Sequence, residues 1–378
     1  MPADGERATA AQQGGPPPSG PQRVDPTRLT KLVERTFAAQ GVPPAEAATL
    51  ADHLVLANLR GVDSHGVGRV GIYVDRLQRE LVEPRANVCT LHETPVSALL
   101  DGGNGPGIVI ADRAMRLAID KARQSGIGMV SVRNSNHCGM LAYYTGTAAR
   151  NGMVSLATTS APASMAPWGA QAAFFGTNPL SYAIPTPTAT PDIVFDMATS
   201  EVALGKIILA DKGDREIPLG WALDPCGRPT RDAASAIRGT LLPLGGAKGS
   251  GLALFVEVVS ALLSGANYGP HIPALYNNPD HEQGLGHFFL AFQPDLFLPP
   301  EEFASRIAQL ASELRTLPAA QGHERVCLPG EPESEREAER RATGVPLTAE
   351  TYAELRDVAA RLGVAPEHLD VSSSGSAT

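Results

Sequence analysis

Residues 128–158, GMVSVRNSNHCGMLAYYTGTAARNGMVSLAT, pass from a β-rich run into a helical pattern and back into a second β-rich run. The β-rich runs are Gly128–Val132 and Met153–Thr158, and the helical pattern covers Met140–Arg150. Strands that alternate with helical patterns are typical of α/β sheets. The segment therefore predicts an α/β fold, with residues 134–139 in the turn that leaves a strand and enters a helix.

The flanking sequence extends this prediction to both chain ends. Further β-rich runs are Val96–Leu100, Leu180–Ile184, Ile193–Asp196 and Phe288–Phe292, and a helical pattern and an apolar helix are predicted at Ile108–Gln124 and Gly251–Leu263. Apolar residues at helical spacing predict terminal helices at about 26–40, 44–60, 70–81, 300–314 and 348–362. We therefore predict a mixed α+β chain with a sheet domain at 91–294 and a helical domain at 25–90 and 295–371. Residues 1–24 and 372–378 are predicted to be disordered tails.

Composition excludes several classes of protein. The 378 residues include 31 basic and 40 acidic side chains, and the resulting charge of −9 would repel a nucleic acid. The sequence contains neither an apolar stretch of membrane-spanning length nor the hydrophobic core of a secretory signal, so we expect a cytoplasmic protein without a membrane partner. The four cysteines are far apart, which favours free thiols in a reducing compartment: Cys89, Cys138, Cys226 and Cys327.

A polar loop at residues 63–69, DSHGVGR, follows the second predicted helix. Its two glycines disfavour a regular helix, so His65 is free to reach a substrate as a general acid or base. Arg69 carries a planar guanidinium that can bind a carboxylate through two parallel hydrogen bonds. Taken alone, the loop also has a structural interpretation, in which Asp63 and Ser64 cap the next helix and His65 is a surface residue.

Two further loops carry candidate ligand-binding residues. Asn134–Gly139 follows a strand, where ligands of α/β proteins gather, although a capped turn explains the pattern equally well. Gly245–Gly251 opens an apolar helix with Lys248 near its start, which suits a phosphate, although a mobile turn also explains the glycines. Neither this loop nor Gly103–Gly107 has the spacing of a P-loop or of a dinucleotide fingerprint. No metal-ligand spacing is present, so no metal ion is expected.

Seven segments, in this order along the chain, resemble the malate/L-lactate dehydrogenase family of the second type, which lacks the Rossmann fold. They are DSHGVGR (63–69), SNHCG (135–139), FGTNPLSYAIPT (175–186), DMATS (196–200), GGAKGSGLALFVEVVSALLSGA (245–266), GPHIP (269–273) and GHFFLAF (286–292). The resemblance implies a homodimer with a non-Rossmann nicotinamide-binding sheet domain and a helical domain built from both chain ends. It also implies hydride transfer between NAD or NADP and a small 2-hydroxy or 2-oxo acid.

The resemblance assigns roles to residues at the matching positions. His65 is the first candidate for proton transfer, tuned by Ser64 and by the carboxylate of Asp196, and His137 is a second candidate. The substrate carboxylate is assigned to Arg69 and Thr177. The cofactor site is assigned to His137, Cys138, Gly139, Met140, Leu141, Ser160, Asp196, Met197, Ala198, Lys248, Gly249, Gly286, His287 and Phe288.

Some positions depart from the pattern that the resemblance leads us to expect. Cys138 stands where an aromatic residue is common, and Ala247 and Ser250 replace ring side chains that often flank the lysine. These changes bear on substrate and cofactor preference more than on the reaction class. Two alternatives remain open, a reductase of cyclic 2-imino acids such as piperideine- or pyrroline-2-carboxylate, and a non-catalytic ligand-binding homologue.

Overall fold

The computed structural model describes residues 22–187, 191–276 and 280–365. Its helices are α1 (Pro26–Ala38), α2 (Pro44–Leu59), α3 (Val70–Gln78), α4 (Gly107–Ser125), α5 (Ala142–Arg150), α6 (Leu204–Lys212), α7 (Ala233–Arg238), α8 (Ala247–Glu257), α9 (Pro300–Arg315), α10 (Glu331–Thr343) and α11 (Ala349–Arg361). Its strands are β1 (Gln22–Val24), β2 (Cys89–Glu93), β3 (Ser97–Asp101), β4 (Ile127–Ser135), β5 (Val154–Thr159), β6 (Leu180–Ile184), β7 (Ile193–Met197), β8 (Ala222–Leu223), β9 (Thr240–Leu241), β10 (Leu285–Phe292) and β11 (Val345–Leu347).

Over the described ranges, seven strands form one sheet in the order β2-β3-β4-β10-β5-β6-β7. Strands β3 and β4 are parallel and are joined through α4, whereas the other neighbours are antiparallel. Buried side chains of α4, β4 and β10 pack together, including Met115, Val130 and Phe289. The predicted mixed α/β fold is confirmed. Because β10 lies between β4 and β5, residues far apart in the sequence meet at the end of β4.

Helices from both chain ends share a second core. Leu32 of α1, Leu54 of α2, Val74 of α3 and Leu355 of α11 are buried in one cluster. Helix α1 begins as expected, since the Asp25 carboxylate accepts a hydrogen bond from the Arg28 amide at 2.9 Å and proline follows the cap. Strands β1 and β11 pair antiparallel and join the two ends again.

The structure departs from the sequence predictions in several places. Residues 22–24, predicted to be part of the disordered tail, form β1, because pairing with β11 supplies hydrogen bonds that composition does not reveal. Helix α9, assigned to the helical domain, packs its Ile307 against Ile193 of the sheet instead. The apolar helix begins at Ala247 rather than Gly251, and it continues as a π-helical turn at Val258–Leu262. The predicted tails 1–21 and 372–378 lie outside the described residues.

Helix α10 was not predicted, because its sequence EPESEREAERRAT has almost no apolar residues. The helix is instead fixed by polar contacts, such as the ion pair between Arg340 and Asp63 at 2.8 Å. Over the described part of the chain, no helix has the length and apolar character needed to cross a membrane.

Candidate active site

Two histidines from different parts of the chain face one another. His65 lies at the end of a short 3-10 turn, Asp63–His65, and His137 follows β4. Their rings are stacked, with centroids 5.7 Å apart and planes inclined by 19°. The fold therefore brings together the two proton-transfer candidates, which are separated by more than seventy residues in the sequence.

The loop that carries His65 is held by Asn58 of α2. The Asn58 amide donates to the Asp63 carboxylate at 2.7 Å, and its oxygen accepts from the Val67 backbone at 2.8 Å. A Cβ at Gly66 would lie 2.1 Å from that oxygen, so a side chain there would displace Asn58. Arg340 of α10 donates two hydrogen bonds to the same Asp63 carboxylate. The loop is thus fixed by contacts from both ends of the chain.

His137 is oriented by neighbours on three sides. The Tyr73 hydroxyl lies 2.6 Å from His137 Nδ1, and the Gly139 amide donates to the same nitrogen at 3.3 Å. The His137 amide donates to the buried Gln283 side chain at 3.2 Å. Tyr73 lies one helical turn after Arg69, so the two side chains share a face of the helix. The structure therefore places the guanidinium, the phenol and the imidazole around one point.

Arg69 and Ser64 complete this cluster. The Arg69 Nε donates to the Ser64 carbonyl at 2.8 Å, and its guanidinium lies over the Tyr276 ring, 5.3 Å from the centroid. The Ser64 hydroxyl is joined to His65 Nδ1 at 2.9 Å. The predicted association of Ser64 with His65 is therefore present in the structure.

Burial determines the protonation states of His65, His137 and Tyr73. It lowers the pKa of His65 to about 4, assisted by the positive charge of Arg69, although the side chain keeps some exposed surface. The pKa of His137 is lowered well below its usual value, again by burial first and then by Arg69. Burial raises the pKa of Tyr73, so its hydroxyl keeps its proton. Both imidazoles are therefore neutral near pH 7 and able to accept a proton.

Residues 138–141 lead into α5 and are held by side chains of α2 and of α5 itself. The Met140 amide donates to His53 of α2 at 2.9 Å, and the Tyr144 hydroxyl donates to the Cys138 carbonyl at 2.5 Å. A Cβ at Gly139 would lie 2.2 Å from the His53 ring, so this close approach requires glycine, which also has φ +70°. The turn after β4 is thus packed tightly against the helical layer.

Asp196 binds the start of a helix and makes no direct contact with the histidines among the described residues. Its carboxylate accepts from the Ala142 amide at 2.7 Å and caps α5, and no hydrogen bond joins it to His65 or His137 in the described residues. The crowded surroundings raise its pKa to about 6, even though part of the residue is exposed in the single chain. The predicted placement of Asp196 next to His65 is therefore not what the structure shows, since the helix start binds the carboxylate, and its role in catalysis stays a prediction.

His287 joins three strands. One ring nitrogen lies 2.7 Å from the Thr159 hydroxyl, the other lies 2.9 Å from the Ser135 hydroxyl, and the ring is fully buried. With both nitrogens occupied inside the protein, the ring cannot touch a ligand, so a cofactor contact at this position would use the backbone. Nearby, the buried Ser160 amide donates to the Gly286 carbonyl at 3.2 Å, which brings two assigned cofactor residues together.

Backbone hydrogen bonds connect three further segments that carry assigned residues. The Thr199 amide donates to the Thr177 carbonyl at 2.8 Å, and the Leu244 amide donates to the Thr199 carbonyl at 2.9 Å. These hydrogen bonds join the DMATS segment to Thr177 on one side and to the glycine-rich loop on the other. Across the described ranges, no hydrogen bond links Thr177 or Lys248 to the histidine pair.

The start of α8 fits an anionic group such as the pyrophosphate of a nicotinamide cofactor. Lys248 is exposed in its first turn, and the amides of Ala247 and Lys248 make no hydrogen bond to any described residue. Free amides at a helix start together with a lysine form a donor set suited to phosphate oxygens.

Several residues of this region were missed by sequence reasoning, among them His53, Asn58, Tyr73, Tyr276 and Arg340. Tyr73 could have been found, since it follows Arg69 at a helical spacing of four. Tyr276 and Arg340 come from distant segments, His53 meets residues 139–140 only through the fold, and no local pattern indicates that Asn58 holds the loop.

Comparison with known proteins decides the family, because residues 24–356 match malate/L-lactate dehydrogenase. The chain belongs to this family. It is 37% identical over 350 residues to the malate dehydrogenase of Pyrococcus abyssi, a match that covers 90% of the chain and 95% of that protein. The structure of the sulfolactate dehydrogenase of Methanocaldococcus jannaschii matches with a TM-score of 0.87 and 35% identity, over 92% of this chain and 99% of that one.

The delta1-piperideine-2-carboxylate reductase of Pseudomonas syringae pvar. tomato also matches, with a TM-score of 0.80 and 29% identity over 89% of this chain and 99% of that one. Relatives include NAD(+)- and NADP(+)-dependent dehydrogenases. The chain is accordingly an NAD(P)-dependent oxidoreductase of 2-hydroxy acids.

Proposed function

We propose that this enzyme interconverts a malate- or lactate-like 2-hydroxy acid and its 2-oxo acid, with His137 as the proton-transfer group. The observation that carries the proposal is the 2.6 Å contact between Tyr73 and His137, one helical turn from Arg69. The sequence alone favours His65, but the contacts favour His137, since its ring is oriented by Tyr73 and Gly139. A firmly oriented base is what proton transfer requires.

The chemistry follows from these contacts. Arg69 binds the substrate carboxylate and turns the reacting carbon towards His137. When bound, the nicotinamide cofactor accepts or supplies the hydride. The reactive tautomer of His137 carries its proton on Nδ1, which then donates to the Tyr73 oxygen and gives up the hydrogen bond from the Gly139 amide. In this tautomer Nε2 is free to take the hydroxyl proton, and the Tyr73 hydroxyl can change from donor to acceptor. The substrate carboxylate stabilises the resulting imidazolium.

His65 and Ser64 have a supporting part in this proposal. Their side chains lie opposite His137, and Ser64 is exposed to solvent.

The cofactor is assigned to the surface that runs from residues 138–141 to α8. Cys138, Gly139, Met140 and Leu141 would lie along the nicotinamide end, and Lys248 with Gly249 would hold phosphate at the helix start. The other assigned residues, between these two ends, are Ser160, Asp196, Met197, Ala198, Gly286, His287 and Phe288, and Thr177 would assist Arg69.

A homodimer is the second part of the proposal. Large apolar side chains are exposed on α6, on α8 and on the turn that follows it, including Leu209 at 62%, Phe255 at 51% and Leu263 at 69%. Exposed apolar side chains in this number favour an interface with a second copy. Size-exclusion chromatography with light scattering should give twice the chain mass, and a monomer would refute this part. The cytoplasmic location remains a prediction.

The test of function is the nicotinamide absorbance of NADH and NADPH mixed with protein and a panel of 2-oxo acids and piperideine-2-carboxylate. We expect consumption with at least one 2-oxo acid. Consumption only with the imino acid would instead favour the reductase of cyclic imino acids. His137→Ala should lose most of kcat while cofactor binding is retained, and His65→Ala should lose less. The reverse order of the two variants would return the proton-transfer role to His65.

A further inference from the structure

Glu257, the last residue of α8, carries a buried carboxylate that is held by neutral donors. The residue is 2% exposed, and within the described ranges no lysine or arginine forms an ion pair with it. Its Oε1 accepts from the Gly269 amide at 2.6 Å, and its Oε2 accepts from the Asn178 side-chain amide. Burial raises the pKa of Glu257, and these two donors act in the opposite direction. Since both oxygens face donors, the site fits the ionised carboxylate, whose oxygens only accept.

Asn178 connects Glu257 to the turn that carries Thr177. The Asn178 side chain is fully buried, and its amide donates to the Ala253 carbonyl of α8 at 3.0 Å as well as to Glu257. Its backbone has φ +34°, in the left-handed region that non-glycine residues rarely adopt. The two hydrogen bonds to α8 therefore hold a turn that the backbone alone would not favour.

The start of α8 is tied to the same turn by a separate series of hydrogen bonds. The Gly249 amide donates to the Leu244 carbonyl at 2.7 Å, and the Leu244 amide donates to the Thr199 carbonyl at 2.9 Å. The amide and the hydroxyl of Thr199 both donate to the Thr177 carbonyl, at 2.8 and 2.9 Å. A Cβ at Gly249 would lie 2.4 Å from the Leu244 carbonyl oxygen, so this close approach of loop and helix requires glycine.

These contacts form a closed circuit through α8. The helix rises about 12 Å from Gly249 to Glu257, at about 1.5 Å per residue. Hydrogen bonds join its two ends to the adjacent residues Thr177 and Asn178. A rigid helix that is fixed at both ends has little freedom to slide or to turn. Glu257 supplies the charged link of the circuit, and hydrogen bonds to a charged group are the stronger ones.

We propose that Glu257 is a positioning residue, which fixes the start of α8 relative to Thr177 and thereby sets the affinity for the phosphate groups of the nicotinamide cofactor. This inference rests on the proposed function, in which Lys248 and Gly249 hold phosphate. Glu257 is buried at the opposite end of the helix, so it acts through the helix rather than by contact with the cofactor. The groups that it positions are the lysine and the free amides of the first turn.

The experiment measures the dissociation constants of NADH and NADPH by nicotinamide fluorescence, for the wild type and for Glu257→Gln. Glutamine keeps the shape of the side chain, but its NH2 group would face the amide of either Gly269 or Asn178, so that one donor meets another. A hydrogen bond to a charged group is worth roughly 10- to 150-fold, and only part of this reaches the helix start, so we expect about tenfold weaker cofactor binding.

A split between binding and turnover distinguishes positioning from a general loss of structure. The KM for the cofactor should rise with its dissociation constant, whereas kcat at saturating cofactor should change by less than about threefold. The reason is that no hydrogen bond among the described residues joins the circuit to His65 or His137. A fall in kcat as large as the loss of cofactor affinity would overturn the proposal.

Asn178→Gly tests the same link from its other side. Glycine accepts the positive φ and removes the side chain without placing two donors face to face, so this variant serves even where Glu257→Gln does not fold. It should also weaken cofactor binding. If both residues act through one contact, the double variant should bind the cofactor within about twofold of the weaker single variant. Fully additive losses would overturn the proposed link.

Ser264→Ala is the matched control. Ser264 is buried in the segment that continues α8, and its hydroxyl donates to the carbonyls of Ser260 and Ala261, outside the circuit. Its loss should lower the melting temperature and leave the cofactor dissociation constants unchanged. A Glu257→Gln protein that behaves in the same way, with a lower melting temperature and unchanged cofactor binding, would overturn the proposal.

Lys248→Met separates this inference from the proposed function. Weaker cofactor binding in Lys248→Met but not in Glu257→Gln would overturn the inference alone. Weaker binding in Glu257→Gln but not in Lys248→Met would remove the lysine from the phosphate site and leave the free amides as the group that Glu257 positions. If no 2-oxo acid is turned over while Glu257→Gln still weakens cofactor binding, the proposed reaction fails and the inference stands.

Discussion

Replacing Tyr73 by phenylalanine isolates the contact on which the proposed mechanism depends. The change keeps the ring and removes only the hydroxyl group that lies 2.6 Å from His137 Nδ1. The remaining partner of that nitrogen is the Gly139 amide at 3.3 Å, which donates and so cannot stabilise a protonated Nδ1. Loss of a hydrogen bond to a charged group costs about 1.5–3 kcal/mol, or roughly 10- to 150-fold in rate.

The loss should fall on kcat more than on KM, because the contact matters most when His137 carries the transferred proton. The pKa that governs the acidic limb of the rate profile should also move down, since the imidazolium loses an acceptor. Steady-state kinetics from about pH 4 to pH 9 measure both effects, since burial already holds the pKa of His137 well below its usual value. Tyr143→Phe is the matched control, because Tyr143 packs on His53 and not on His137. A Tyr73→Phe enzyme with kcat within twofold of wild type and an unchanged pH profile would refute the reasoning.

Three further predictions follow from the same contacts. Arg69→Lys should raise the KM for the acid by about tenfold or more with a smaller change in kcat, because lysine cannot form the bidentate pair; an unchanged KM would remove Arg69 from the substrate site. Arg340→Met should lower kcat several-fold because it removes the ion pair with Asp63 and loosens the His65 loop, and Arg340→Lys should restore part of the loss. Equal kcat in the wild type and both variants would show that the contact from α10 has no role in catalysis. Burial lowers the folded-state pKa of His53 to about 3 and that of His287 to about 4, from the ordinary histidine pKa of 6.5. Below pH 6.5 these histidines are protonated in the unfolded chain but not in the folded one, so protonation favours unfolding. Stability should therefore be complete above pH 6.5 and fall by about 1.4 kcal/mol per pH unit per histidine towards pH 4, and denaturant titrations with a flat profile would contradict it.

The central sheet could be predicted from the sequence because its signals are local. Leu180–Ile184 and Ile193–Met197 are short β-rich runs bounded by proline, and each forms a strand close to the predicted bounds. Helix α10 could not be predicted, since ion pairs with distant residues hold it rather than an apolar face. Strand β1 was missed for a related reason, as its partner β11 lies more than three hundred residues away.

The site was predictable in its residue types but not in its geometry. His65, Arg69 and His137 were singled out from their loops, and the fold places them together. The contact that Asp196 makes could not be predicted, because only the packing of β7 against α5 shows that the carboxylate caps a helix. The burial of Arg76 of α3, which is 2% exposed, could not be predicted, because an arginine on an amphipathic helix is ordinarily exposed and only tertiary packing buries it.

The central claim is that hydride passes directly between the nicotinamide and carbon 2 of a 2-oxo acid held beside His137. The most direct measurement supplies NADH or NADPH deuterated at nicotinamide C4, one diastereomer at a time, with oxaloacetate and the purified enzyme. Mass spectrometry of the hydroxy acid then reports the isotope at carbon 2. The account predicts a product one mass unit heavier from one diastereomer and unlabelled product from the other. Product without label from both, or no product with any 2-oxo acid, would contradict it.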